Sequence, residues 1–312
     1  MRARMKWPSG TPPIAGTKGY VLGGYTGAAT NKTDLFTFSS ETAALATTAN
    51  LSSSRYDPAS VANAGIKGYT AGGYLASSLA TTDLTTFSTD ITAASTASNL
   101  TGARDGTAGI SECTSKGYWL GGSTNGGAGG LTNVSDKVTF STDVTAASTA
   151  SNLSSPRWGP TGMSNGSSKG YACGGQLGHV TDMLTFSTDV TIAVTTANPT
   201  FNGYFSAACS NGSTNGYLGG GGLSAGFTAV TDRIVFSTDV CSAVTTANLS
   251  QARGNLSGFS SGSVAGYFLG GYTNNVVGTI DKLTFSTETT AAIAGTLSTP
   301  KSDAGGMSDL GY

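Results

Sequence analysis

The sequence predicts an all-β protein made of repeated sheets, and three observations carry that reading. A Gly-Tyr pair recurs at Gly19, Gly68, Gly117, Gly170, Gly216, Gly266 and Gly311, at intervals of 49, 49, 53, 46, 50 and 45 residues. A fixed period of tens of residues marks units that stack or close on one another. Between successive pairs lie four short β-prone segments separated by turn residues, and no helical periodicity interrupts them. The repetition runs through all 312 residues, which argues for one closed body rather than two domains.

The second copy shows how one repeat is built. Strand a is expected near Ser60–Ala64, strand b at Gly68–Gly72, strand c at Leu84–Ser88 and strand d at Ile91–Ser95. A Lys-Gly turn joins a to b, at Lys67, Lys116 and Lys169, with Gly where positive φ or close approach is needed. A double glycine ends strand b, where a side chain would crowd the neighbouring sheet. Asp34, Asp83, Asp136, Asp182, Asp232 or Asp281 leads into strand c, which runs into Phe-Ser and a compact c–d turn. Three residues past its Phe comes a second acid: Glu41, Asp90, Asp143, Asp189, Asp239 or Glu288. A Thr/Ala-rich run leads to Asn-Leu, altered to Asn198-Pro199 in repeat five, and then to Arg55, Arg104, Arg157, Arg253 or Lys301.

A four-stranded sheet of this size cannot bury both faces alone, and radial packing around a channel is the stable solution. The chain is therefore expected to form a six-bladed β-propeller of four-stranded antiparallel blades over residues 18–312, with repeats starting near 18, 67, 116, 169, 215 and 265. Ala304–Tyr312 echoes Thr161–Tyr171 with a shortened turn, so residues 303–312 are expected to supply strand a of the first blade and close the ring. Residues 1–17 compete for that slot with Lys6 in register, but Pro8, Pro12 and Pro13 make a poor strand, and an arm or attachment segment is the expectation.

Composition narrows the function classes. Only 11% of residues are charged, against about 25% in typical soluble domains, and the net charge is -1. That leaves no electrostatic footprint for nucleic acid or an anionic membrane. No apolar stretch is long enough to insert into a membrane, and residues 1–17 lack the apolar run of a secretory signal. Cys113, Cys173, Cys209 and Cys241 occupy different phases of the repeat and form no CxxC, so they read as small buried hydrophobes rather than a disulfide or zinc framework. No metal or cofactor is expected.

Candidate site residues lie on one face. Strands a and c run opposite to b and d, which puts the d–a loops and the b–c loops at the same end. A ring of Arg55, Arg104, Arg157 and Arg253 there can hold a carboxylate or a sugar acid; the alternative is buried arginines that satisfy loop carbonyls and a neighbouring Asp. The repeated acids, 12 of the 17 Asp and Glu, read as turn caps and as partners of the repeat Arg. Repeat five breaks the ladder with Phe201-Asn202-Gly203-Tyr204, the repeat-three b–c loop is long from Ser123 to Ser135, and the single histidine, His179, sits in the repeat-four loop. Tyr56, Trp158, Phe201 and Tyr204 cluster around the d–a loops, where aromatic rings beside Asn, Gln and Ser suit a carbohydrate, although they can also pack between blades. The ligand-binding set is thus Tyr56, Arg104, Arg157, Trp158, His179, Phe201, Tyr204 and Arg253. The opposite face, made of near-identical Phe-Ser-Thr-Asp turns, suits docking or stacking.

Catalysis is not expected. One histidine in a glycine-flanked loop offers no Ser-His-Asp arrangement. A glycan-processing enzyme working with acids alone would draw on the non-repeated Asp57, Asp105, Glu112, Asp303 and Asp309, of which Asp57 and Asp105 follow the repeat Arg by two and one residues.

Arg157, the small residues of strand a, Gly170-Tyr171, Gly174-Gly175 and the Asp182-to-Phe186 segment resemble the kelch repeat, and the resemblance spans almost the whole chain. Kelch repeats usually carry a Trp in strand d, where these copies have Thr, Ala and Ser, so blade-to-blade packing must use other residues. Some propellers similar to kelch proteins are copper oxidases, which need several His and Tyr ligands that one histidine cannot replace. The tandem Thr-Phe-Ser-Thr-Asp, Asn-Leu-Ser-x-x-Arg and Lys-Gly-Tyr-x-x-Gly-Gly vocabulary resembles kelch-like proteins of tailed bacteriophages, notably marine and cyanobacterial ones. That resemblance implies a virion or extracellular appendage protein, made in the host cytoplasm and partnered by other virion subunits and by a host-surface glycan or protein, or else a purely structural assembly subunit.

Overall fold

The computed structural model describes residues 16–176 and 178–311. Six four-stranded antiparallel sheets form the blades of a propeller, each in the order a, b, c, d. Blade 2 runs through Ala59–Asn63, Lys67–Ala71, Thr82–Thr86 and Ile91–Ala94, within two residues of the expected bounds. The other strands b begin at Lys18, Lys116, Lys169, Asn215 and Ala265. Strand d is followed in five blades by a single 3-10 turn, such as Thr96–Ser98, which the sequence reading did not anticipate. The Asn of Asn-Leu explains it: Asn50, Asn99, Asn152, Asn198 and Asn248 each accept, at 2.8–3.0 Å, the N–H of the residue that opens strand c.

Closure follows the expectation. Gly305–Ser308 is strand a of blade 1 and pairs antiparallel with Lys18–Leu22, bringing Tyr20 opposite Met307. The arm expected over residues 1–17 lies outside the described residues except for Gly16 and Thr17; the latter donates its backbone N–H and hydroxyl to the Asp309 carboxylate. Strands a pack against one another around the axis.

The missing Trp of strand d is replaced by a Tyr-Phe stack. The strand-b Tyr of each blade lies on the Phe of the next blade's c–d turn, with centroids 5.4–5.9 Å apart, from Tyr20 on Phe87 round to Tyr267 on Phe38. Such stacks are worth about 0.5–1.5 kcal/mol each beyond the area buried. The Gly before each Tyr leaves room for the third strand-a residue of the preceding blade: a Cβ at Gly68, Gly117 or Gly170 would come under 3.0 Å from Met307, Val61 or Ile110. The second glycine of each pair has positive φ and donates its N–H to the next blade, as Gly73 does to the Arg104 carbonyl at 2.9 Å.

The two series of acids have separate tasks: the pairing with the repeat Arg belongs to the strand-c Asp alone, and the turn acid reaches the neighbouring blade. The turn acid accepts from the preceding blade: Asp90 from Lys18 and Tyr20, Asp239 from Lys169 and Tyr171. Blades 5 and 6 lack the strand-b Lys, and the cation moves to the strand-c residue opposite the Tyr, Arg233 for Glu288 and Lys282 for Glu41. Burial alone would raise the Asp189 carboxyl, but hydrogen bonds from Lys116, Lys137 and Tyr118 hold it down to about 2. The strand-c Asp instead binds the cation at the head of its own blade: Asp83 with Arg55 at 2.7 Å, Asp136 with Arg104 at 2.5 Å, Asp182 with Arg157 at 2.6 Å, Asp281 with Arg253 at 3.0 Å and Asp34 with Lys301 at 2.8 Å. All four cysteines are free thiols; Cys113, Cys173 and Cys209 are buried and Cys241 is half-buried.

Candidate functional site

The two residues that follow each repeat cation build the loop face. The first bridges to the b–c loop of its own blade, as Tyr56 does with Tyr74, Asp105 with Ser123, Tyr204 with Gly222 and Gly254 with Tyr272. In blade 4 the Gln176 N–H donates to the Trp158 carbonyl at 2.8 Å. Tyr56, Trp158 and Tyr204 therefore hold the same repeat position, all half-buried.

The second residue is Asp57, Gly106, Gly159, Phe205, Asn255 or Asp303, and all six have positive φ between 51° and 67°. Each N–H donates to the carbonyl of its counterpart in the preceding blade at 2.8–3.0 Å: Asp57 to Asp303, Gly106 to Asp57, Gly159 to Gly106, Phe205 to Gly159, Asn255 to Phe205 and Asp303 to Asn255. The result is a closed ring of six backbone hydrogen bonds around the channel mouth. A left-handed conformation costs a non-glycine residue energy, least for Asp and Asn. Phe205 is the exception in kind, and its ring is held edge-on against Trp158, with centroids 4.6 Å apart and an 86° interplanar angle. Glycine at 106 and 159 is required there, because a Cβ at either would meet the Trp158 or Phe205 ring.

Beneath the ring lies a cavity of about 130 Å³, lined by Asp57, Asp303, Asn255, Thr107, Ser206 and the small residues of strands a. Burial and the nearby Asp303 and Asp105 push the Asp57 carboxyl well above the usual carboxylate range. Burial also raises Asp303, though hydrogen bonds from Asn255 and Ser302 pull it back. Asp105 is raised by burial despite accepting the Ser78 hydroxyl at 2.7 Å and the Trp158 Nε1–H at 2.9 Å. On the other side of the mouth, Tyr56 packs between Tyr25 and Tyr74, with centroids 5.9 and 5.5 Å away.

The arginines do not belong to this surface. Arg104, Arg157 and Arg253 are at most 2% exposed, and each guanidinium is turned into its blade onto a buried Asp and a backbone carbonyl. A ligand on the loop face meets no guanidinium ring, so the expected Arg ring for a carboxylate or sugar acid is replaced by structural ion pairs. Phe201 is likewise diverted: it packs on the core around Tyr171 and Phe236, and a Cβ on Gly203, which stands where the other blades have Arg, would meet its ring. His179 is exposed in the b–c loop of blade 4, with Nδ1 at 3.4 Å from the Pro199 carbonyl, and is not among the residues lining the mouth. Of the expected set, Tyr56, Trp158 and Tyr204 share one repeat position; Asp303, Asn255 and Phe205 complete the mouth and were missing from the set. Their common offset, two residues past Lys301, Arg253 and Gly203, is the signal that finds them.

Among the described residues no three His, Cys, Asp or Glu side chains gather as a metal set, and no helix is long and apolar enough to cross a membrane. No family model matches the chain, and no curated protein is similar to it. The six-bladed architecture is compatible with a kelch-like propeller.

Proposed function

We propose that this propeller is a non-enzymatic binding module whose loop face takes an uncharged carbohydrate, with the repeat-equivalent rings of Tyr56, Trp158 and Tyr204 as stacking surfaces around the mouth. The observation that carries the reading is their placement: half-buried rings on a face where the arginines are spent on internal pairs, so that stacking and neutral hydrogen bonding remain. The repeat vocabulary, similar to that of tailed-phage kelch-like proteins, supports a virion or appendage setting and a host-surface glycan as ligand. A glycan array probed with the full chain is expected to give a binder whose signal falls at least roughly tenfold in Trp158→Ala and Tyr204→Ala, a loss of about 1.4 kcal/mol or more. Retention of full binding by both variants would refute the site.

A second reading, assembly through the opposite face, is favoured by one observation. Ile91, Val144, Val190 and Val240 occupy one repeat position beside the c–d turns and are 41–51% exposed, with Ile66 and Val264 exposed in the a–b turns. Ordered stacking in electron micrographs that is lost in Ile91→Ser/Val144→Ser would support it.

A further inference from the structure

Two acids that belong to neither repeated series meet at the channel mouth. Asp57 and Asp303 occupy the same ring position in adjacent blades, linked by the Asp57 N–H donating to the Asp303 carbonyl at 2.8 Å. Asp303 accepts the Asn255 side-chain amide and the Ser302 hydroxyl. Asp57 is only 7% exposed and lines the cavity; its carboxyl meets that of Asp303, and its Oδ1 is buried without a protein partner. No Lys, Arg or His is among the lining residues. The cations two residues upstream, Arg55 and Lys301, are turned away onto Asp83 and Asp34. A buried carboxylate pair with an unused acceptor is costly unless a proton or a cation neutralises it.

We infer that the mouth cavity is a binding site for one hard divalent cation of the calcium class, with Asp57 and Asp303 as its charged ligands. The donor set is all oxygen, which selects hard cations over zinc or copper. Calcium takes six to eight oxygens in flexible geometry, and carboxylates, carbonyls and water can fill such a shell without a third acid; magnesium demands a near-ideal octahedron. The site is independent of the carbohydrate reading, and it departs from the expectation that no metal is needed. Acids converging at one place were what a calcium site required, and the fold supplies them from residues 246 positions apart.

Isothermal titration of the chelator-treated full chain with CaCl2 tests this. One ion is expected per chain at pH 8. Asp57→Asn and Asp303→Asn should each weaken binding at least roughly tenfold, while Asp309→Asn on the far face leaves it unchanged. Absence of binding by the wild-type chain at millimolar calcium and pH 8 overturns the site, as does unchanged affinity in both variants. Tighter binding of magnesium overturns the calcium-class assignment. Should Asp57→Asn fail to fold by circular dichroism, Asp303→Asn and the wild-type titration carry the test.

Discussion

Blades 4 and 5 are neighbours with the same strands and opposite solutions at their head. In blade 4, Arg157 is buried and donates to the Asp182 carboxylate at 2.6 Å and to the Ala172 carbonyl at 3.1 Å. In blade 5, Gly203 stands at that position, Phe201 fills the space, and the buried Asp232 accepts the Thr200 N–H at 2.6 Å and hydroxyl at 2.7 Å. Burial raises the Asp232 carboxyl, with Thr200 and Cys241 opposing the shift. A buried ion pair need not outperform apolar packing of similar volume, because desolvation offsets most of the Coulomb gain. Blade 5 is that replacement made within one chain, and it shows that the repeat requires a filled volume and a satisfied Asp, not a guanidinium.

The contrast can be broken most severely from the blade 4 side. Arg157→Ala should cost about 3–5 kcal/mol in urea unfolding, since it leaves Asp182 charged and buried without its partner. A loss below about 1 kcal/mol would mean that the pair is dispensable in blade 4 as well. Phe201→Ala comes next, at about 2 kcal/mol, below the usual range for a fully buried Phe because Phe201 is half-buried. The double variant Phe201→Ser/Gly203→Arg, which restores the repeat, should melt above Gly203→Arg alone, where ring and side chain compete for one space. The smallest effect has a pH signature. Because the folded-state carboxyl of Asp232 is raised, its ionisation opposes folding; the fold is unpenalised below the unfolded value of roughly 3.9 and loses stability as pH rises from there through the folded value. Asp232→Asn should therefore raise the melting temperature more at pH 7 than at pH 4, whereas Asp182→Asn should lower it at pH 7. Equal shifts at both pH values for Asp232→Asn would remove the linkage.

Much of the fold was legible because it depends on residues that recur. The period gave the blade count, the double glycines marked where backbones of adjacent blades touch, and the fragment at Ala304–Tyr312 pointed to the closing strand. The candidate site was only half legible. Tyr56, Trp158 and Tyr204 were visible as aromatics near the loops, but Arg104, Arg157 and Arg253 looked like a ligand ring because a repeat position carries no label for the direction of its side chain. Their direction depends on Asp136, Asp182 and Asp281, which lie 32, 25 and 28 residues further on. The ring of six left-handed residues escaped notice because Asp57, Gly106, Gly159, Phe205, Asn255 and Asp303 share a conformation rather than a chemistry.

The sequence by itself determined the blades, because hydrophobic alternation, turn glycines and the Tyr-Phe spacing are local and repeated six times. Only the tertiary structure decided what the mouth contains. Asp57 and Asp303 come from opposite ends of the chain and meet only when the ring closes, and their low-dielectric surroundings, which set their proton affinity, exist only after closure.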